Sequence, residues 1–256
     1  MTPFPVLVRL GLAATLTFCR AAIGSDAPAL PNEGQALAAE LRSSPPPEDL
    51  DVAGLIRVRH EDGRRTTQPF RYRVVSRENH WQHVYEAAAT QTQPAQTLVV
   101  THRADTAPVY TLSGRVGTPG DSAAGVTLTG DAAMFPFAGS DFWLADLGLD
   151  FLHWPEQRID RNTRLTMRKG RSCRVLESIN PRPGAAGYTR VRSWVDIKTG
   201  GIIIAEAFGS DNRRFKEFEI GGFTKVNERW ALKNMEIRNV RTDTRTMLEF
   251  HYEREE

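Results

Sequence analysis

The chain has 256 residues, with 33 lysines and arginines against 31 aspartates and glutamates, and a formal net charge of +2. This near balance, with no basic stripe along the sequence, argues against a nucleic-acid-binding protein. The length is sufficient for one sizeable domain with a packed core.

The first 24 residues have the pattern of a secretory signal peptide. Arg9 supplies a positive charge ahead of the short apolar run Leu10–Phe18, and small residues precede a cleavage site before Ser25. The run is too short to cross a bilayer. We therefore expect a periplasmic or otherwise exported protein, with a flexible arm over residues 25–31.

The two cysteines are Cys19 and Cys173. Phe18 occupies the position where lipoprotein signals carry a small residue, so a lipid anchor at Cys19 is not expected. Loss of the leader leaves Cys173 alone, without an internal disulfide. Cys173 shares a face with Val175 in an alternating stretch, which indicates a buried structural thiol.

A short amphipathic helix is predicted at the start of a single domain spanning residues 32–256. Asn32 and Gln35 have the spacing of a capping box. The helix must end by Ser44, because three prolines follow from Pro45.

From Asp51 onward, runs of β-branched and aromatic residues alternate with turn signals. Leu55–Arg59 and Phe70–Val75, joined through Asp62 and Gly63, form the first hairpin. About twelve strands are expected. The later candidates are 81–87, 97–102, 109–113, 164–167, 173–179, 189–197, 202–208, 214–220, 230–238 and 246–252. No helices alternate with them, which excludes a doubly wound α/β fold and leaves a sandwich, a barrel or a curved sheet with helices on one face.

The segment 139–147 interrupts the strand pattern. Ser140 or Asp141 is predicted to cap a turn of helix. Its aromatic and apolar side chains suggest a lid over a cavity mouth, and ordinary aromatic packing against the sheet is the alternative. The possible lid consists of Phe142, Trp143, Leu147 and Phe151.

The C-terminal half resembles the outer-membrane lipoprotein-sorting protein family, whose members have the LolA/LolB-like half-barrel. The residues that carry the resemblance are Gly139-Ser140-Asp141-Phe142 with Asp146-Leu147, Gly170 with Cys173, Val175 and Leu176, Val191 with Trp194-Val195-Asp196, and Trp230 with Met235 and Ile237. The match covers residues 130–256 well and the N-terminal helix and hairpin loosely. The resemblance implies a mainly β fold: a curved antiparallel sheet, an incomplete barrel, with a few helices covering its concave face.

The resemblance also implies an apolar cavity that shelters acyl chains. Strand alternation gives the candidate cavity residues, although an ordinary filled core would have the same pattern. These candidates are Val175, Val191, Val195, Ile197, Ile202, Ile204, Phe208, Phe218, Ile220, Met235, Ile237, Leu248, Phe250 and Tyr252.

Motifs for catalysis are missing from the sequence. It contains neither a nucleophile elbow nor a glycine-rich phosphate loop. His80 and His83 would lie on opposite faces of a strand, and the other histidines, including His102 and His153, have no partner at ligand spacing. We therefore predict no enzyme activity, no catalytic residues, no cofactor and no metal.

Two functions remain. The first is a monomeric periplasmic carrier or binding protein for a hydrophobic ligand, a lipid or a lipoprotein acyl chain, with at most transient membrane contact. The alternative is an envelope sensor or scaffold of the same fold that binds a protein partner and has a filled interior.

Overall fold

A single antiparallel sheet dominates the computed structural model, which describes residues 32–46, 48–114, 125–160, 166–184, 187–226 and 229–252. These all belong to a unit formed by residues 31–256. The predicted signal peptide and the arm over residues 25–31 lie outside the described residues.

Within the described ranges there are fourteen strands, two α-helices and two 3-10 helices. The helices are α1 (Glu33–Arg42) and α2 (Leu144–Leu147), and the 3-10 helices span Gly130–Ala133 and Asp150–His153. The strands are β1 Leu50–Arg59, β2 Arg65–Ser76, β3 Trp81–Ala87, β4 Gln96–Arg103, β5 Thr106–Ser113, β6 Val126–Leu128, β7 Glu156–Ile159, β8 Thr166–Arg168, β9 Arg171–Ile179, β10 Arg190–Asp196, β11 Ile202–Phe208, β12 Arg214–Val226, β13 Arg229–Asn239 and β14 Thr244–His251.

The strands follow the chain outward from the centre of the sheet and then back to it. Strands β1 to β6 lead to one edge, residues 129–155 cross to the other edge, and β7 to β14 return until β14 pairs with β1. Strand β8 pairs with β9 beside this path. Because β6 and β7 do not pair, the sheet is not closed into a barrel. The predicted mainly β fold, an incomplete barrel, is confirmed.

The predicted N-terminal helix and hairpin are both present. Asn32 and Gln35 form the reciprocal capping box of α1, at 2.9 and 3.0 Å. The hairpin β1–β2 pairs from Leu50 with Val74 to Arg59 with Arg65, so it is longer than the sequence pattern indicated.

Helix α1 packs closely against the edge strand β7. A Cβ atom on Gly34 would lie 2.5 Å from the carbonyl oxygen of Gln157, so only glycine permits this approach. Leu37 and Ala38 are buried in the same contact region. The helix thereby covers an edge that would otherwise expose unpaired backbone groups.

The prediction for the cap of α2 is wrong. The helix begins after Trp143, whose backbone N–H donates to the carboxylate of Asp146 at 2.8 Å. Asp141 instead accepts hydrogen bonds from the hydroxyls of Thr244 and Thr246 on β14. The Asp141 side chain thus attaches residues 129–155, which we call the crossing segment, to strand β14, and it does not cap α2.

Two large apolar clusters lie on the face of the sheet that carries the helices. One contains Ile56 and Leu98 together with Phe142 of the crossing segment, and the other joins α1 to β9 through Leu176. A third, smaller cluster contains Cys173, Val175, Trp194 and Ile203, with Ile204 packed against it, and includes no helix residue. Cys173 is buried, as its strand pattern indicated.

None of the helices in the described part of the chain has the length and apolar character that crossing a membrane requires.

Candidate functional site

A cavity of about 1200 Å³ opens on the helix-covered face of the sheet. Its walls come from β2, β3 and β4 on one side and from β12, β13 and β14 on the other. The crossing segment, α1 with the residues that follow it up to Leu50, and residues 199–202 at the start of β11 also contribute to the lining. Known ligand pockets usually measure about 300 to 1,000 Å³, so this space is large enough for a sizeable ligand.

The wall formed by β12 to β14 is apolar. Phe218 and Ile220 line it from β12, Leu232 and Met235 from β13, and Phe250 from β14. Phe218, Leu232 and Met235 pack against a buried core that includes Phe250. Register shifts in the β12–β13 pairing near Gly222 change the alternation, so that Leu232 and Met235 both contribute to the cavity although their numbers differ in parity.

The opposite wall carries a histidine–tyrosine cluster, which we define as Tyr72, His83, Tyr85 and His102. All four line the cavity. The Tyr72 hydroxyl and His83 Nδ1 are 2.6 Å apart, and the His83 and His102 rings meet edge to face with centroids 5.0 Å apart. Trp81 stacks on His102 at 5.5 Å.

Burial keeps this cluster uncharged at neutral pH. It lowers the pKa of His83 to about 4 and that of His102 to about 3. It also raises the pKa values of Tyr72 and Tyr85. Each imidazole therefore offers one N–H donor and one lone pair.

The crossing segment supplies the third part of the lining through Phe142, Leu147, Leu149 and Leu152. Its position is fixed by the ends of the strands: the backbone N–H of Asp141 donates to the Thr246 hydroxyl at 2.9 Å. The apolar side chains are thus held over the sheet by polar anchors.

A buried charged network supports the same segment. Lys216, 2% exposed, donates to the carbonyl oxygen of Asp141 at 2.7 Å and to the Asp146 carboxylate at 3.1 Å. Its ammonium group lies 3.6 Å from the Trp143 ring centroid, and Tyr188 donates to Asp146 at 2.9 Å. Burial lowers the pKa of Lys216, and the Asp146 carboxylate opposes that effect. With its donors occupied in this way, Lys216 acts as a structural cation.

Eight of the predicted cavity and lid residues line the cavity. Six are candidates from strand alternation: Ile202, Phe218, Ile220, Met235, Phe250 and Tyr252. The other two, Phe142 and Leu147, come from the segment proposed as a lid. Their contact with a ligand stays a prediction.

Other predicted cavity residues belong to packed regions beside the cavity. Val191, Ile237 and Phe151 surround a separate pocket of about 30 Å³, whereas Val195 and Leu248 are buried in the apolar clusters. Trp143 stacks on Tyr188 with ring centroids 4.7 Å apart. The surroundings of these side chains are those of a filled core and of ordinary aromatic packing, the alternatives to a ligand site and a lid.

Four predicted cavity residues lie away from the cavity. Val175 and Ile204 pack in the cluster without helices, because Leu176 is the β9 residue that points toward α1. A register shift in the β10–β11 pairing separates Ile202, which lines the cavity, from Ile204. Phe208 lies beneath the Arg190 guanidinium, and Ile197 is exposed.

The histidine–tyrosine cluster was not predicted as part of the site. Parity within β3 does put Trp81, His83 and Tyr85 on one face, but His102 joins them only through the pairing of β3 with β4. That pairing cannot be read from the spacing of histidines along the chain. In the described part of the chain, no group of three or more histidine, cysteine, aspartate or glutamate side chains could hold a metal ion.

A family model described as "-like: Uncharacterized protein" matches residues 126–254, about half of the chain. No curated protein matches the sequence.

Several solved structures have the same fold. A DUF1329 family protein from Desulfovibrio piger has a TM-score of 0.67 and 15% identity, covering 86% of this chain and 91% of that chain. An outer membrane lipoprotein-sorting protein domain from Vibrio parahaemolyticus has the same TM-score and identity, with 86% and 90% covered. A LolA superfamily protein from Nitrosomonas europaea has a TM-score of 0.58 and 13% identity, with 87% and 94% covered. The open sheet that this chain shares with these solved structures confirms the LolA-like fold that the sequence resemblance implied. The chain belongs to the family of the model that matches residues 126–254.

Proposed function

We propose that this chain is a non-enzymatic carrier or binding protein for a hydrophobic ligand, a lipid or the acyl chain of a lipoprotein. The observation that carries the proposal is the cavity of about 1200 Å³ with its apolar wall on β12 to β14. Its fold, shared with a lipoprotein-sorting domain, is consistent with this role.

The energetics favour hydrocarbon in this space. Each methylene group moved from water into a dry apolar site contributes about 0.8 kcal/mol. Phe218, Met235 and Phe250 supply such a surface, and Val226 and Trp230 continue it along the β12–β13 hairpin. Trp230 is 70% exposed, so the apolar surface extends to solvent.

The proposed location is the periplasm. It rests on the sequence pattern of residues 1–24, a charged start followed by a short apolar run. Fractionation of a Gram-negative host that expresses the full chain tests it, together with N-terminal sequencing of the product.

The alternative, an envelope sensor or scaffold, draws on the exposed aromatic side chains Phe223 and Trp230 of the same hairpin. That function predicted a filled interior. The large cavity therefore favours the carrier.

Native mass spectrometry of the protein purified from the host periplasm, followed by solvent extraction, tests ligand binding. We expect one acyl-containing ligand per chain. A ligand-free mass, with no uptake of the apolar fluorescent probe N-phenyl-1-naphthylamine, would contradict the carrier and leave the protein-binding module.

Two matched substitutions locate the binding. Met235→Trp places a large ring in the cavity, whereas Met167→Trp makes the same change at a side chain that is 59% exposed and outside the lining. We expect the first to weaken probe binding by about tenfold, or 1.4 kcal/mol, and the second to leave it unchanged.

A further inference from the structure

The cavity has two chemically different walls. Strands β12 to β14 present hydrocarbon and aromatic carbon, and the histidine–tyrosine cluster on β2, β3 and β4 presents polar ring atoms. Imidazole rings in the wall of a site that binds only hydrocarbon would lower stability, because burying a polar group without a partner costs free energy. Their presence therefore points to a ligand with a polar group.

The hydrogen bonds within the cluster do not use all the ring nitrogens of its two histidines. Tyr72 occupies Nδ1 of His83 at 2.6 Å. Nε2 of His102 is buried and has no hydrogen-bond partner among the described residues. An unpaired buried nitrogen costs free energy, and a small shift of the His102 ring that exposes Nε2 to the cavity would let a ligand pair with it.

The charged residues that line the cavity disfavour a ligand with an anionic head group. Among the described residues that line the cavity there is no lysine or arginine, and the charged ones are Glu40, Glu48 and Asp146. Lys216 contacts Asp146 from the neighbouring small pocket and already has its acceptors. The low pKa values of His83 and His102 show that burial also opposes positive charge on the rings. In the described part of the lining, an anionic head group would thus meet carboxylates and no lysine or arginine.

We propose that the histidine–tyrosine cluster binds the uncharged polar group of an amphiphile, a hydroxyl or an ester carbonyl, while the hydrocarbon chain lies along β12 to β14. This inference rests on the proposed function and adds the class of ligand. A hydroxyl can donate to one imidazole and accept from the other, so it matches a pair of neutral rings. The cavity then selects neutral amphiphiles over fatty-acid anions.

The test compares two ligands that carry the same acyl chain, 1-monolaurin and laurate, as competitors of N-phenyl-1-naphthylamine on the full chain at neutral pH. We expect 1-monolaurin to bind at least about tenfold more tightly than laurate. Equal or tighter binding of laurate would overturn the proposal.

Substitutions assign the preference to the cluster. His83→Phe and His102→Phe keep an aromatic ring in the wall and remove the polar atoms, and His251→Phe makes the same change at an exposed site outside the lining. We expect each of the first two to reduce the preference for 1-monolaurin over laurate about tenfold, and His251→Phe to leave that preference unchanged.

The outcomes separate this inference from the proposed function. If the probe and both amphiphiles fail to bind the unsubstituted chain, the carrier itself is wrong. If the probe binds but His83→Phe and His102→Phe leave the preference for 1-monolaurin over laurate unchanged, the cavity takes hydrocarbon alone, and the cluster proposal is overturned.

Discussion

Acidification should destabilise this protein well above the pH at which carboxylates titrate. Burial lowers the pKa of His83 to about 4, of His102 to about 3 and of His153 to about 4, from an ordinary value of 6.5. Between pH 7 and pH 4 these side chains bind more protons in the unfolded chain than in the folded one. The free energy of unfolding must therefore fall as the pH falls through this window.

The magnitude follows from the pKa values. An unfolded histidine is about one-quarter protonated at pH 7 and almost fully protonated at pH 5, whereas the folded rings stay largely neutral. The difference is about 2 kcal/mol for a fully buried ring, and partial solvent access reduces it to about 1 to 2 kcal/mol for each ring. His83 and His102 together should account for about 2 to 4 kcal/mol of the loss.

Urea unfolding followed by tryptophan fluorescence at pH 7 and pH 5 measures this loss. The double variant His83→Phe/His102→Phe should lose about 2 to 4 kcal/mol less than the unsubstituted chain over the same interval. His251→Phe, the same substitution at an exposed site, is the matched control. Identical pH dependence in the double variant and the unsubstituted chain would show that these rings are charged or solvated in the folded protein, and the reasoning would fail.

Three further predictions concern stability. Lys216→Met should lower the free energy of unfolding by about 3 kcal/mol because it leaves the Asp146 carboxylate unpaired, and adding Asp146→Asn should restore part of the loss in a urea double-mutant cycle. Leu248→Ala, at a side chain 1% exposed and outside the lining, should cost about 3 kcal/mol without changing probe affinity; a large change in affinity would mean that the core and the cavity are coupled. Gly34→Ala should cost about 1 to 3 kcal/mol by pushing α1 away from the Gln157 carbonyl, and an unchanged melting temperature would contradict the close contact.

Sequence patterns were sufficient to predict the elements that depend only on residues close together in the chain. The capping box of Asn32 and Gln35 and the turn at Gly63 involve residues close in sequence, and both are present in the structure. The open antiparallel sheet was accessible through the family resemblance and the absence of alternating helices.

The cavity lining was only partly predictable because alternation holds only while the pairing is regular. The register shift after Trp194 places Ile202 and Ile204 in different surroundings although their spacing puts them on one face. Val175 shows a different limit: alternation identifies the residues that share a face but not which face carries the helices.

The histidine–tyrosine cluster was inaccessible for a third reason. His83 and His102 are separated by a loop and meet only because β3 and β4 pair antiparallel. A sequence shows each histidine as an isolated polar residue on an apolar strand. Strand register, a tertiary property, converts them into a pair.

The path of the chain through the sheet has a consequence for how the protein folds. Strand β1 pairs with the final strand β14, which brings Ala53 beside His251. The β1–β14 pair at the centre of the sheet cannot form until almost the whole chain has been synthesised. Pairing between strands so far apart in sequence slows folding, because loop-closure entropy is lost before the contact forms. During that delay, the edge of β1 that later pairs with β14 is exposed and is a site for aggregation. Shielding the first hairpin until the last strand is available would be part of producing this protein in a cell.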